Sequence, residues 1–224
     1  MKKGQAAGFG FKYLLYFQTM QNKPPFTTLF LDIGGVLLSN GWDRTARKLA
    51  ATTFSLELPE LEERHHLTFD TYEEGKLTLD EYLDRIVFYE ERHFTKENFR
   101  DFIFAQTEPY PQMIDMIIAL KKAYGLKVVV VNNEGRELNE YRIRKFGLNT
   151  FVDFFISSCF VHIRKPDADI FKIALDIALV QPDEVLYIED RPMFVSVAEH
   201  LGITGICHDS YETTRELLKA KGLY

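Results

Sequence analysis

The chain has 224 residues, of which 46% are hydrophobic and 27% are charged, and its formal net charge is −6. This length suits one sizeable domain, or a core domain with an insertion, in an ordinary globular protein. The acidic balance disfavours a broad basic face for nucleic acid, and the absence of a run of about 20 apolar residues disfavours a membrane span.

Two features bear on the compartment. Residues 1–26 have an apolar part that is short and interrupted by Lys12, without the cleavage pattern of a secretory signal. They predict a poorly ordered leader, with a secretory signal as the alternative. Cys159 and Cys207 lie far apart and outside any metal-ligand spacing, which predicts two buried thiols in a reducing compartment. We therefore expect a cytoplasmic protein.

From residue 27 onward, strand-like segments alternate with helix-like ones. Apolar runs of strand length lie at 29–32, 126–133, 151–158, 184–190 and 204–207. Helical patterns lie at 109–125, 136–148, 167–180, 192–202 and 211–223. This alternation predicts an α/β fold with a mostly parallel sheet and right-handed crossovers.

One long segment interrupts the alternation between the first two strands. Residues 42–106 are polar and helix-like without a clear strand, and a Thr78-x-x-Glu81 capping box opens one amphipathic helix there. The segment predicts a small all-helical cap inserted into a core formed by residues 27–41 and 107–224. We expect the connections at 39–44 and 107–111 to be the hinges of this cap.

Polar side chains end three of the predicted strands. Asp32 follows the first strand, Asn132 and Asn133 follow the second, and Glu189 with Asp190 ends the fourth. Ligands bind beyond the carboxyl ends of the strands in parallel sheets, near the point where strand order reverses. We therefore expect the functional site at this edge, beneath the cap.

These residue types suit phosphoryl transfer. A carboxylate such as Asp32, followed by glycines that open the backbone, can attack an electrophile and form a covalent intermediate. Three clustered carboxylates repel one another unless a cation joins them, and oxygen ligands suit Mg²⁺. Lys165, which precedes a predicted helix, can offset this charge and steady a phosphoryl group, to which the amides of Asn132 and Asn133 can donate.

The motifs together resemble those of the haloacid dehalogenase-like (HAD) hydrolase superfamily, in its branch with a small helical cap. LFLDIGGVLL is similar to the first motif, VVVVNN to the second, RKPDADIF to the third and VLYIED to the fourth. The resemblance covers about residues 27–221 and implies a Rossmann-like core, Mg²⁺ dependence and an aspartyl-phosphate intermediate. It implies Asp32 as the nucleophile and assigns residues to two kinds of contact. Mg²⁺ contacts fall to Asp32, Asp190 and the Gly34 carbonyl, with Glu189 in support, and phosphate contacts fall to Lys165 and Asn132.

Two positions depart from the family pattern. Its phosphatases usually carry a second Asp two residues after the nucleophile, which protonates the leaving group, but this chain has Gly34 there. Asn132 stands where Ser or Thr is usual. Relatives with Gly at the first position include sugar-phosphate phosphatases of the glucose-1-phosphate type.

Three hypotheses follow. The first is a Mg²⁺-dependent phosphatase of a small phosphorylated metabolite, with sugar phosphates as candidates. The second is a 2-haloacid dehalogenase, which also uses an Asp nucleophile but needs neither the metal nor the second Asp. The third is a phosphate-binding or regulatory protein with weakened catalysis. The sequence does not indicate an oligomeric state.

Substrate choice is expected to lie in the cap. Leu67, Phe69, Tyr72 and Glu73 are the candidate residues that face the substrate. Trp42 has two interpretations, at the mouth of the site or in the buried core. The adjacent pair His65–His66 is not expected to clamp a metal, because neighbouring residues point apart on a helix.

Overall fold

The computed structural model describes residues 26–224, in which five parallel strands form one sheet in the order β3-β2-β1-β4-β5. The strands are β1 (Thr28–Leu31), β2 (Lys127–Asn132), β3 (Phe154–Ser157), β4 (Val185–Glu189) and β5 (Thr204–Cys207). The prediction of a disordered leader lies outside the described residues, except for Phe26, which is buried against the core. The predicted α/β class with a parallel sheet is confirmed.

The central strand β1 is buried on both faces of the sheet. Leu29 and Leu31 point to one hydrophobic cluster and Phe30 to the other, as the two-residue period of a strand requires. Strand β1 pairs with β2 and β4, with Leu31 opposite Val130 and Ile188. The carboxyl ends of these three strands therefore lie side by side, and strand order reverses between β1 and β4.

The helices between the strands cover both faces. They are α1 (Arg44–Phe54), α2 (Leu58–Glu73), α3 (Leu79–Ile86), α4 (Lys96–Ala105), α5 (Pro111–Tyr124), α6 (Arg136–Lys145), α7 (Ser158–Val161), α8 (Asp169–Ala178), α9 (Pro192–His200) and α10 (Tyr211–Ala220). Helices α5 and α10 pack on the face of Leu29, whereas α8 and α9 pack on the face of Phe30. Gly125, in a left-handed conformation, ends α5 as predicted.

Helices α1 to α4 stand between β1 and β2 in the chain, form the cap and carry most of a third hydrophobic cluster. Phe99, Tyr82 and Leu83 lie at its centre and are fully buried, while Leu138 of α6 joins it from the core. The predicted capping box of Thr78 and Glu81 opens α3. The prediction of an inserted all-helical cap is confirmed.

The two connections between cap and core run side by side. The backbone N–H of Ser39 donates to the Glu108 carbonyl at 2.8 Å, and the N–H of Glu108 donates back to Ser39 Oγ at 2.9 Å. The Arg142 guanidinium of α6 also donates to the Ser39 carbonyl. The entry and exit of the cap are therefore fixed to each other and to the core.

Two sequence predictions need correction. Cys159 is buried as expected, but Cys207 is exposed, because it lies at the end of the edge strand β5. The predicted third strand was too long at both ends, and its last residue, Ser158, begins the short helix α7. Across residues 26–224, none of the helices combines the length and apolar character needed to span a membrane.

Candidate active site

Three carboxylates meet where β1 and β4 end. Asp32 follows β1 directly, and Glu189 and Asp190 stand at the end of the adjacent strand β4. One oxygen from each lies within 4.8 Å of the others. The parallel pairing of the two strands produces this convergence, because it aligns their carboxyl ends.

Lys165 joins this cluster from the loop before α8. Its Nζ donates to Asp32 Oδ1 at 3.0 Å and to Glu189 Oε2 at 2.6 Å, and its side chain is only 1% exposed. Tyr187 also donates to Glu189 Oε2. The lysine therefore neutralises part of the negative charge in a place that water scarcely reaches.

Asn133 holds the loop that presents Lys165. Its Oδ1 accepts the backbone N–H of Lys165 at 2.8 Å, and its Nδ2 donates to the Lys165 carbonyl at 2.9 Å. Asn133 also lines the cavity beside Asp32. The structure brings it to the site, where its side chain positions the lysine.

Asn132 differs from the sequence prediction. Its side chain is 1% exposed and bonds away from the cavity, with Nδ2 donating to Asn139 and Oδ1 accepting from Ser157. These bonds tie β2 to α6 and β3. The predicted phosphate contact from this side-chain amide is not made in this arrangement, because Asn132 faces the interior of the protein.

The electrostatics of the site follow from burial and from crowding of charge. Burial raises the pKa of Asp32 to about 7, reinforced by the charge of Glu189 and opposed by Lys165. Burial and the hydrogen bond to Glu189 raise the pKa of Asp190 to about 6. Burial is the largest influence on Glu189 and acts to raise its pKa, but the Lys165 charge and the hydrogen bonds to Asp190, Lys165 and Tyr187 together outweigh it, so the pKa is lowered.

The arrangement fits a divalent cation. Glu189 has both oxygens engaged, Oε2 by Lys165 and Tyr187 and Oε1 by the Arg191 backbone N–H at 3.0 Å. Asp32 has only Oδ1 bonded to Lys165, and Asp190 is partly exposed. Hard oxygen ligands with raised pKa values are stabilised by a cation such as Mg²⁺. Asp32 and Asp190 are therefore the carboxylates best placed to hold it.

Asp32 of this cluster lines a cavity of about 380 Å³ between core and cap. Of the predicted cap residues, Phe69, Tyr72 and Glu73 line this cavity, whereas Leu67 is 72% exposed and points to solvent. Leu67 lies on the opposite side of α2, because Phe69, Tyr72 and Glu73 follow the i, i+3, i+4 spacing of one helix face and Leu67 does not. Trp42 lines the cavity and also packs edge-to-face with Phe99 of the cap core. It therefore contributes both to the site and to the core, as the two interpretations of this residue proposed separately.

Sequence reasoning missed several residues of the cavity wall, namely Asn40, Arg47, His65, Tyr82 and Arg191. Tyr82 accepts from Trp42 Nε1 at 2.9 Å and lies 2.6 Å from His65 Nδ1. Burial and the charge of Arg47 lower the pKa of His65 to about 4, so this imidazole is neutral near pH 7. No local pattern identifies these residues, because the chain separates Trp42, His65 and Tyr82 widely.

The family model described as haloacid dehalogenase-like hydrolase matches residues 26–220. Bifunctional epoxide hydrolase 2 of Mus musculus is 31% identical over 114 residues, which are 49% of this chain and 21% of that protein. Flavin mononucleotide hydrolase 1 of Arabidopsis thaliana is 27% identical over 79 residues, which are 35% of this chain and 32% of that protein. The chain thus spans about a fifth of the length of the epoxide hydrolases that it matches.

Solved structures share the fold. A HAD family enzyme from Bacteroides thetaiotaomicron has a TM-score of 0.74 at 20% identity, over 86% of this chain and 98% of that one. The same enzyme was also solved with magnesium and inorganic phosphate, with a TM-score of 0.70 at 20% identity, over 82% and 94% of the two chains. L-2-haloacid dehalogenase from Xanthobacter autotrophicus has a TM-score of 0.59 at 18% identity, over 87% and 83%.

Proposed function

The chain belongs to the haloacid dehalogenase-like hydrolases, and we propose that it is a Mg²⁺-dependent phosphatase of small phosphomonoesters. The observation that carries this proposal is the group of three carboxylates at the ends of β1 and β4, two of which pair with one buried lysine. A carbon-directed dehalogenase needs the nucleophile but not the two further acids. A phosphatase uses the additional acids to hold a cation beside a phosphoryl group.

In this proposal Asp32 is the nucleophile. An oxygen of its carboxylate attacks phosphorus, the bond from phosphorus to the ester oxygen breaks, and the alcohol leaves with a proton from solvent. Lys165 holds Asp32 in place and offsets the charge of the phosphoryl group. Water then attacks the aspartyl-phosphate, which releases phosphate and restores the carboxylate.

The metal ligands in this proposal are Asp32, Asp190 and the carbonyl of Gly34. Glu189 supports them through Lys165, since both of its oxygens already have partners. A bound Mg²⁺ would neutralise charge on the phosphoryl oxygens. The magnesium and phosphate found with the Bacteroides enzyme, which has the same fold, support this assignment.

The substrate class follows from the cavity. Its volume of about 380 Å³ is near the lower end for small-molecule sites, which favours a small phosphorylated metabolite. Gly34 provides no acid for the leaving group, so esters with good leaving groups, including sugar 1-phosphates, are favoured. We also propose that the chain belongs to the subfamily with a small helical cap and that the protein is cytoplasmic.

The test is release of inorganic phosphate from a panel of phosphomonoesters with Mg²⁺ present. Asp32→Asn is the control, and we expect it to lower kcat/KM by at least about 10³-fold because it removes the nucleophile. Removal of the metal with a chelator is expected to abolish turnover. If wild-type protein that binds Mg²⁺ hydrolyses no member of the panel, the phosphatase proposal is wrong.

The same experiment separates the two alternatives. Release of halide from 2-haloacids in the presence of a chelator would identify a dehalogenase. Tight binding of Mg²⁺ with a fluoride mimic of phosphate, without hydrolysis of any substrate, would identify a binding or regulatory protein. The absence of an acidic side chain at Gly34 does not distinguish these two alternatives, because neither of them uses an acid at that position.

A further inference from the structure

The space beside Gly34 is occupied by another side chain. A β-carbon placed on Gly34 would lie 2.5 Å from Oδ1 of Asn40 and 3.9 Å from Oδ2 of Asp32. Asn40 comes from the chain that leads into the cap, and it lines the cavity together with Asp32 and Gly34. The carboxamide of Asn40 therefore occupies the space that a side chain at position 34 would take.

Asn40 lies between the acidic cluster and a fixed stretch of backbone. Its side-chain amide faces the carboxyl of Asp190 and acts to lower the pKa of that carboxyl, against the effect of burial. The preceding residue, Ser39, is fixed by its two bonds to Glu108 and by the Arg142 guanidinium. Arg142 also pairs with Glu134 of the cavity wall. The backbone that leads into Asn40 is therefore fixed, and the Asn40 Oδ1 lies beside Gly34.

We propose that Asn40 is a catalytic residue of the second half-reaction, in which its Oδ1 accepts a hydrogen bond from the water that attacks phosphorylated Asp32. This inference rests on the proposed phosphatase function. The new bond joins the water oxygen to phosphorus, and the bond from phosphorus to the Asp32 oxygen breaks. Both water protons leave with the product as dihydrogen phosphate, and the bonding electrons return to the carboxylate.

The proton count of this hydrolysis step explains why an amide side chain is sufficient to assist it. No proton has to be transferred to the enzyme, so Asn40 needs only to orient the water toward phosphorus. The first half-reaction is different, because the departing alkoxide requires a proton that a carboxamide cannot give. Asn40 is therefore expected to affect breakdown of the intermediate and not its formation.

The test separates the two steps with p-nitrophenyl phosphate and saturating Mg²⁺. Rapid mixing measures the first release of nitrophenol, and acid quenching traps the phosphoenzyme. For Asn40→Ala we expect steady-state turnover to fall by about 10²-fold, the effect of losing orientation at a reacting centre. The first release is expected to keep its rate and to become a burst equal to the enzyme concentration, with phosphoenzyme accumulating.

Two further variants make the test specific. Asn40→Asp keeps the size and an acceptor oxygen, and we expect it to clear the phosphoenzyme within about tenfold of the wild-type rate. Asn149→Ala changes an exposed asparagine that precedes β3 at the opposite edge of the sheet, and it should behave as wild type. Asn40→Leu keeps the bulk of the side chain without an acceptor, and we expect it to accumulate phosphoenzyme as Asn40→Ala does. It therefore tests the loss of the acceptor if Asn40→Ala folds poorly.

The outcomes are distinguishable. If the wild type hydrolyses substrate and both Asn40→Ala and Asn40→Leu turn over at the same rate, the proposed role of Asn40 is wrong and the phosphatase function stands. Slowing of the first release without accumulation of phosphoenzyme would do the same, because it indicates a structural effect on the nucleophile. Absence of turnover and of phosphoenzyme in the wild type on the whole panel would overturn the proposed function itself.

Discussion

Lys165 is the residue on which the acidic cluster depends most. A buried ammonium is costly, yet this one has two carboxylate partners and the Tyr187 hydroxyl within 3.2 Å. The charges of Asp32 and Glu189 overcome the effect of burial and raise the pKa of Lys165. The lysine therefore stays charged, and it binds Oδ1 of Asp32, whereas Oδ2 lies toward Gly34.

Replacing Lys165 tests how much it contributes to the stability of the folded protein. We expect Lys165→Met to lower the free energy of unfolding by about 3 kcal/mol, because it leaves Glu189 and Asp32 buried without a cation. The double variant Lys165→Met with Glu189→Gln is expected to recover part of that loss while remaining inactive. Denaturant unfolding at pH 7 measures both. A single variant as stable as wild type would show that the cluster tolerates its charge without the lysine.

Gly35 is a second residue-scale constraint. It has φ of +76°, and a β-carbon there would run into the Asp190 carboxylate. Gly125 also has a positive φ, of +66°, but a β-carbon there meets nothing within 4 Å. The two glycines therefore share the conformational requirement and differ only in their surroundings.

We expect Gly35→Ala to displace Asp190 and weaken Mg²⁺ binding by at least about tenfold, or about 1.4 kcal/mol. Gly125→Ala should lose about 1–2 kcal/mol of stability from the left-handed conformation alone and keep the wild-type Mg²⁺ affinity. Titration calorimetry with Mg²⁺ and thermal unfolding measure the two effects. Equal Mg²⁺ affinities in the two variants would contradict the placement of Asp190 in the metal site.

At the scale of elements, the cap meets the core where α2 approaches α6. Gly135 caps the N-terminus of α6, and a β-carbon there would overlap the ring of Tyr72 from α2. Tyr72 in turn stacks on Tyr82 of α3, with ring centroids 4.5 Å apart. The close approach of the cap therefore depends on a glycine whose φ, −66°, any residue can adopt.

This contact predicts a steric effect without backbone strain. Gly135→Ala is expected to push the cap outward and lower kcat/KM by about 10-fold to 10²-fold, because the cavity wall moves relative to Asp32. Adding Tyr72→Leu should restore part of the activity by making room for the methyl group. A double-mutant cycle on kcat/KM measures this coupling. Additive effects of the two changes would mean that Tyr72 does not transmit the displacement.

For the whole molecule, the acidic cluster links stability to pH and to metal. The folded-state pKa values of Asp32, about 7, and Asp190, about 6, lie above their usual 3.8. The folded protein therefore holds more protons on these two carboxyls than the unfolded chain does in this range, and without metal their contribution to stability falls as pH rises from about 4 to 7. In the proposed metal site, a bound cation would replace those protons and reverse the loss.

We therefore expect Mg²⁺ to raise the Tm, and to raise it more at pH 8 than at pH 5. At a concentration of 100 times Kd the stabilisation should be about 2.7 kcal/mol. Thermal unfolding with and without Mg²⁺ at the two pH values measures it, with Asp190→Asn as the variant that should lose the effect. A metal-induced shift that is the same at both pH values would contradict competition between protons and Mg²⁺.

The sequence by itself determined the α/β class, the inserted helical cap and the edge of the sheet at which Asp32, Glu189 and Asp190 meet. These features depend on local periodicity and on the alignment of parallel strand ends, both of which are present in the order of residues. Only the tertiary structure decided that Asn132 turns inward and that Leu67 points to solvent. It alone placed Asn40 beside Gly34, because side-chain direction depends on packing between segments distant in the chain.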